Sequence, residues 1–292
     1  MIDAVVDGAA PPCSLCNAYG APSARGPIPE ALTELSGIAA SRAQPGIYYV
    51  HNDSGDSPRI FALDATGSEV GQLCLAEARN VDWEDIEVGP CPSGSCIYVA
   101  DIGDNHRERQ GYGIYRVPEP RVVPWPTTGG ASVTFEHHPF TYGDGPHDAE
   151  ALLVHPITGR VYVITKDGDP SPVYEIPLSA APSPGTSAPV VTAIRAGTVS
   201  IGKPGALVTG GDVSPCGNAL LVRTLQALYE FRAPDGAPAS VDSLIATQAE
   251  KVPVADEAQG EAVSYVADGR GYVTSSERAG GPRPELAGVD CQ

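Results

Sequence analysis

Trp83-Glu84-Asp85-Ile86-Glu87 is one of five copies of a short pattern. The others are Leu35-Ser36-Gly37-Ile38-Ala39, Ala149-Glu150-Ala151-Leu152-Leu153, Gly210-Gly211-Asp212-Val213-Ser214 and Gly260-Glu261-Ala262-Val263-Ser264. Each sets a small or acidic pair ahead of an alternating apolar stretch. About ten residues later comes a β-branched and aromatic run: Ile47–Val50, Ile97–Val99, Val161–Val163, Leu220–Val222 and Gly271–Val273. Such runs read as strands. A third run follows four times, at Ile60–Leu63, Ile114–Val117, Val173–Ile176 and Leu228–Phe231. Weaker stretches at Val70–Leu75, Ser132–His137 and Val190–Ala196 read as fourth, outer strands.

Four strands and a restart make a propeller blade. The motif-to-motif steps run from about 48 to 66 residues, and the excess falls in the Pro/Gly/Ser loops Val122–Ala131 and Ser179–Pro189. No segment holds a helical period over a useful length. The expected fold is therefore all-β: a single β-propeller domain over residues 1–292, with five four-stranded antiparallel blades. Six blades result if the long third-to-fourth interval hides a degenerate one. The fifth repeat runs short, with room after Tyr272 for one more strand around Leu286–Val289. The N-terminal segment, residues 1–33, is expected to complete that last blade and close the ring.

Composition narrows the function. The formal charge is −18, and only three lysines are present, Lys166, Lys203 and Lys251. That excludes a basic face that neutralises nucleic-acid phosphates, and equally one that docks on anionic lipid. It suits a protein that holds cations or stays soluble outside the cell. No apolar run approaches the ~20 residues of a membrane span. Gly (33) and Pro (29) are spread along the chain, as many turns between short strands require.

Seven cysteines point to an oxidising compartment. Cys91 and Cys96 flank a short turn, a natural hairpin staple, and Cys13 or Cys16 would meet Cys291 if the termini lie together. An odd count leaves at least one thiol outside such pairs. Met1–Ala10 has neither a basic nor an apolar region of a signal peptide. The expected location is extracellular or periplasmic, with the signal removed.

Blade geometry sorts the polar residues. The start of each innermost strand and the loop after each second strand share one face, around the channel mouth. Glu84, Asp85, Asp148, Glu150, Asp212 and Glu261 are expected there. So are the exits His51–Asp56, Asp101–His106, Thr165–Asp169, Arg223–Thr224 and Ser275–Arg278. Crowded carboxylates repel unless they protonate or hold a cation. Their oxygens are the ligands Ca²⁺ takes, about 6–8 per ion. A calcium ion is expected, with Glu84, Asp85, Asp104, Glu150, Asp212 and Glu261 as candidate ligands. Aspartate, asparagine and glycine also form turns, but glutamate does not. Glu84, Glu150 and Glu261 share one phase of the repeat; Asp212 sits one position later, and Ser36 takes the place in the first copy.

Such an ion would polarise a phosphoryl or ester oxygen. A carboxylate or histidine beside it would activate water or act as nucleophile. Asp53, Asp101, His51, His106 and His147 are the candidates, and Lys166, Arg223 and Arg278 are candidates for binding an anionic group of a small-molecule substrate. There is no GxSxG elbow, no HExxH helix and no Gly-rich loop opening a helix. The same face fits a non-catalytic module that holds a ligand or partner with purely structural calcium, since fold alone does not choose. The expected state is a monomer.

Five strings carry a resemblance: ELSGIAAS (34–41), HNDSGDSPRIFALD (51–64), VDWEDIEVGP (81–90), YVADIGDN (98–105) and DAEALLV (148–154). They resemble a family of bacterial exported β-propeller proteins, a likeness that brings a fold but no established reaction. More distantly, ELSGIA resembles the opening of the SdiA-regulated and phytase-esterase-like propellers. The string from Trp83 to Glu87 is similar to the calcium-ligand segment of paraoxonase-type propellers. Those relatives, with the gluconolactonase and phosphotriesterase groups, place a catalytic calcium at the channel mouth. The resemblance implies Glu84 as a calcium ligand and Asp85 as a second one.

Overall fold

The computed structural model describes residues 13–92, 94–121, 130–178, 185–278 and 280–292. The leader reading of Met1–Ala10 and most of the loops at 122–131 and 179–189 fall wholly or partly outside these residues. The chain enters through β1 (Ser23–Pro27) and then lays down strands in sets. The first set is β2 (Leu35–Ala40), β3 (Tyr48–Asn52), β4 (Arg59–Leu63) and β5 (Glu69–Leu75). Next come β6 (Trp83–Cys91), β7 (Gly94–Asp101) and β8 (Tyr112–Pro118), followed by β9 (Ala131–Val133) and β10 (Glu136–Tyr142). The third set is β11 (Ala149–Val154), β12 (Val161–Thr165), β13 (Ser171–Ile176) and β14 (Val191–Val199). The fourth is β15 (Val208–Val213), β16 (Ala219–Thr224) and β17 (Ala227–Arg232), then a short helix α1 (Val241–Ile245) and β18 (Glu250–Val252). The chain ends in β19 (Gly260–Tyr265), β20 (Gly271–Ser276) and β21 (Glu285–Asp290).

These sets form a β-propeller. The innermost strands β2, β6, β11, β15 and β19 follow one another around a closed ring, with β19 back against β2. Four are buried along their whole length, and β6 is buried from Trp83 to Gly89. Side chains alternate between the two faces of every sheet and fill the spaces between successive sheets. Ile97 and Val99 of β7 pack with Trp83 and Tyr49, whereas Tyr98 and Ala100 pack with Leu152 and Val163 on the other side. The strand patterns of the sequence are thus the two walls of adjoining cores.

Closure follows the expectation. β1 pairs antiparallel with β21, from Ser23↔Gly288 to Pro27↔Glu285, and so supplies the outer strand of the last sheet. Cys16 bonds Cys291 and Cys91 bonds Cys96; Cys13 instead bonds Cys216, in the turn between β15 and β16. Two features were not foreseen. The stretch Ser132–His137 splits, so that β9 adds in parallel to β5 of the first sheet while β10 pairs with β8. β10 also pairs in parallel with β14, which fuses the second and third sets into one eight-stranded sheet.

Candidate cation site at the channel mouth

Every innermost strand is irregular at its second position. In β6 the register passes from Trp83↔Asp101 to Asp85↔Ala100 and skips Glu84. The same skip leaves out Glu150 in β11, Thr209 in β15 and Glu261 in β19, and in β2 it spans Ser36 and Gly37. A bulge takes its extra residue out of the ladder and re-aims the side chain. Three times out of five that residue is a glutamate. The register also corrects the repeat alignment. Thr209 stands where three of the other copies have glutamate, and Asp212, opposite Leu221, matches Glu87, opposite Tyr98.

Two aspartates meet Glu84. Asp53 comes from the exit of β3 and Asp82 from the approach to β6; one carboxylate oxygen of each residue lies within 4.8 Å of the others. Local hydrogen bonds hold this arrangement. Asn80 Nδ2 donates to the Asp53 carbonyl at 2.8 Å, and Asn80 Oδ1 accepts from the Trp83 amide at 3.2 Å. The Asp82 amide donates to Asp101 Oδ1 at 3.2 Å, and Asp101 is fixed by Arg109 at 2.6 Å. The amides of Ile102 and Gly103 donate to the Asp82 carbonyl at 3.1 and 3.2 Å. Gly103 has a further role. A Cβ there would collide with Glu84 Oε1 and Asp82 Oδ2, so the missing side chain is what leaves room between the carboxylates.

The electrostatics are those of an uncompensated anion cluster. Burial pushes the Asp53 carboxyl up to about 7, with Asp82 adding to the rise. Burial also raises Asp82, against the pull of Arg109. Glu84 is 3% exposed and is raised well above its ordinary range, first by burial and then by Glu150, Asp53 and Asp82. Among the described residues, none of the three forms an ion pair with lysine or arginine. Close carboxylates of this kind favour either a shared proton or a bound cation. The oxygen donors suit a hard ion such as Ca²⁺.

A second acidic group adjoins the first. Glu150 hydrogen-bonds with Glu84 and accepts from Lys166 Nζ at 2.8 Å. Burial pushes Glu150 up to about 7, and the lysine holds it from going higher. Glu261 is pushed up to about 8 by burial and by the charge of Glu150, and its Oε2 has no partner among the described residues. Glu277 is linked to it through Gln259, whose Nε2 donates to Glu277. Asp82 in turn lines a cavity of about 440 Å³ together with Asp104, Asn105, His106, Glu108 and Arg109. The mouth therefore combines a tight carboxylate cluster, a lysine-balanced acid and an adjoining opening with an exposed histidine, His106.

The remaining candidates lie elsewhere. Asp85 turns to the neighbouring strand, where its Oδ2 accepts the Leu152 amide at 2.8 Å. Asp212 does the same one interface on, accepting the Tyr265 amide at 2.7 Å and the Ser264 hydroxyl at 3.1 Å. Asp212 also hydrogen-bonds with Glu87. Asp104 ends its own turn. Burial works against its charge, but the amides of Glu108 and Arg109 and the Tyr112 hydroxyl hold the carboxyl below its ordinary range. Its amide donates to Asp148 at 2.8 Å. His51 is fully buried edge-on to Trp83, and burial pushes it down to about 4, so it is neutral. His147 is held between Asp144 and Asp167, 3.1 Å from each, and beside the Tyr174 hydroxyl. Arg223 is buried against Glu257 at 2.5 Å. Arg278 lines a different cavity, described below. Asp82 and Gln259 lie outside the segments that the repeat assigns to the mouth, whereas Gly103 and Glu277 fall inside the exits Asp101–His106 and Ser275–Arg278. Asp82 and Gly103 do stand inside the strings VDWEDIEVGP and YVADIGDN.

No protein-family model and no curated protein matches the chain. Among solved structures it is similar to the PQQ-bound aldose sugar dehydrogenase of Streptomyces coelicolor, with 12% identity over 94% of this chain and 99% of that one, at a TM-score of 0.49. It is also similar to a putative oxidoreductase (glucose dehydrogenase) from Thermus thermophilus, with 16% identity over 93% of this chain and 99% of that one, at a TM-score of 0.45. At these identities the likeness is one of fold.

Proposed function

We propose that the channel mouth binds a divalent cation, Ca²⁺, and that the protein is an exported calcium-dependent hydrolase of an ester, lactone or phosphoester. One observation carries this reading. Three carboxylates from two segments, the exit of β3 and the start of β6, converge within 4.8 Å, with no lysine or arginine among the described residues paired to them and with Gly103 keeping the space between them open. Asp53, Asp82 and Glu84 would hold the ion, which when bound supplies Lewis-acid polarisation of a substrate oxygen. Glu150, whose rise Lys166 limits, is the proton acceptor within reach of Glu84. His106 faces the adjoining opening, where it can take a proton from water. Asp101 and Arg109 hold the Asp82 segment in place. The three disulfides suit an oxidising compartment and support export. The resemblance of the segment around Glu84 to paraoxonase-type propellers agrees with the ion.

The test is metal analysis of the purified protein alongside Glu84→Gln and Glu150→Gln. Wild type should retain calcium, and Glu84→Gln should lose it together with any esterase, lactonase or phosphoesterase activity. Full calcium content in Glu84→Gln would sink the cation site. The alternative is a non-catalytic ligand-binding propeller with structural calcium. It is favoured by the Lys166–Glu150 pair, which already satisfies the acid beside Glu84. In that case chelation lowers the melting temperature and leaves ligand binding unchanged in the still-folded protein.

A further inference from the structure

A cavity of about 730 Å³ lies between the segment 254–258, which leads into β19, and the sheet of β20, β21 and β1. That volume is within the ~300–1,000 Å³ of small-molecule sites. We infer that this cavity binds a small carboxylic acid that also carries hydroxyl groups. Apart from Glu277, which stands at both, the cavity shares no residue with the cation site.

Arginine carries the first part. Among the described residues, eight arginines are in ion pairs: Arg25, Arg59, Arg107, Arg109, Arg116, Arg160, Arg223 and Arg232. Arg278 and Arg283 both line the cavity and, among the described residues, form no ion pair. Their Nε atoms donate only to the carbonyls of Gly281 and Ile28. Two guanidinium forks without carboxylate partners, on one opening of a chain with charge −18, are matched to an oxyanion.

The inner wall supports the same reading. Glu257 lines the cavity, but its charge is met by the buried Arg223 at 2.5 Å, and its other oxygen accepts from the Thr274 hydroxyl at 2.7 Å. Arg223 is 1% exposed, and its Nε and Nη1 have no partner among the described residues. Behind Glu257 there is thus a surplus of donors rather than of negative charge. Asp256, Glu277 and Glu285 stand around the rest of the opening. Ionised carboxylates only accept hydrogen bonds. A ligand that fits both kinds of wall gives its carboxylate to the arginines and its hydroxyl protons to the acids. Alanines and prolines make up most of the remaining lining, with no aromatic ring to stack on, so recognition here is by polar groups.

Calorimetry with three four-carbon probes tests this on the whole, metal-free protein. Tartrate has both carboxylates and hydroxyls, succinate only carboxylates, and erythritol only hydroxyls. Tartrate should bind tightest, with erythritol weaker by at least about tenfold. The double variant Arg278→Ala, Arg283→Ala should lose tartrate by at least about tenfold. The double lysine variant, which keeps charge but not the fork, should fall in between and decides the matter if the alanine variant does not fold. Asp53→Asn with Glu84→Gln should bind tartrate as wild type does, which separates this site from the cation site. Absence of tartrate binding, erythritol equal to tartrate, or undiminished binding in a folded double variant overturns the proposal. Succinate equal to tartrate overturns the hydroxyl assignment.

Discussion

Two sets of acids line the innermost strands, and their chemistry is opposite. At the rim, Glu84, Glu150 and Glu261 occupy bulges or adjoin them, and they face one another and the aspartates Asp53 and Asp82. Deeper in the channel, Asp85 and Asp212 face amides of the next innermost strand and accept from them at 2.8 and 2.7 Å. An innermost strand has a hydrogen-bonded neighbour on one side only, so its other edge carries amides that need acceptors. The deep acids meet that need and tie successive sheets together. The rim acids have no such amides; Lys166 offsets Glu150, and the crowding of the others is left for a proton or a cation to relieve. Position relative to the bulge, more than residue type, separates a structural acid from a candidate ligand.

The comparison can be broken most sharply at Gly103. Gly103→Ala puts a methyl between Glu84 and Asp82, and calcium affinity should fall by about a hundredfold or more, close to 3 kcal/mol, as read by calorimetry. The melting temperature of the calcium-free variant should change far less. Unchanged affinity would mean that the space between the carboxylates is not the ion's position. At the deep end, Asp212→Ala leaves the buried Tyr265 amide without its acceptor. It should lower unfolding free energy by about 1–3 kcal/mol in denaturant melts while calcium content stays at the wild-type level. Loss of calcium with no loss of stability would reverse the roles assigned to the two sets.

The rim can also be sharpened through pH. Asp53 and Glu150 are pushed up to about 7 and Glu261 to about 8, so the folded chain binds more protons than the unfolded one above the ordinary carboxyl range near 4. Stability of the calcium-free protein should therefore fall as pH rises between about 4 and 8. One net proton would give a slope of about 1.4 kcal/mol per pH unit. Saturating calcium should flatten this decline in thermal melts, because the ion replaces the protons. A flat profile without calcium would show that the rim acids are not crowded in solution.

Much of this was written in the sequence. The repeat marks each innermost strand, and the run Leu286–Val289 and the N-terminal segment close the ring as the short fifth copy requires. Glutamates in a shared phase reach one face because each occupies a bulge. What the linear pattern hid were one-residue events. The bulge in β15 falls on Thr209, so Asp212 slips below the rim, although it looks nearly aligned with the glutamates in the primary structure. Asp85, adjacent to Glu84, points to Leu152 for the same reason. Gly103 was invisible as a site residue because its contribution is the absence of a side chain. The partner of Cys13 was beyond reach too, since Cys216 becomes its neighbour only once the N-terminal segment passes the β15–β16 turn.

The bond between Cys16 and Cys291 turns nearly the whole polypeptide into a covalent circle. A protease that cuts once in any exposed loop between these cysteines opens the circle without releasing a fragment. Both halves stay attached through the disulfide as well as through the pairing of β1 with β21. Resistance to proteolysis then depends on the second cut rather than the first.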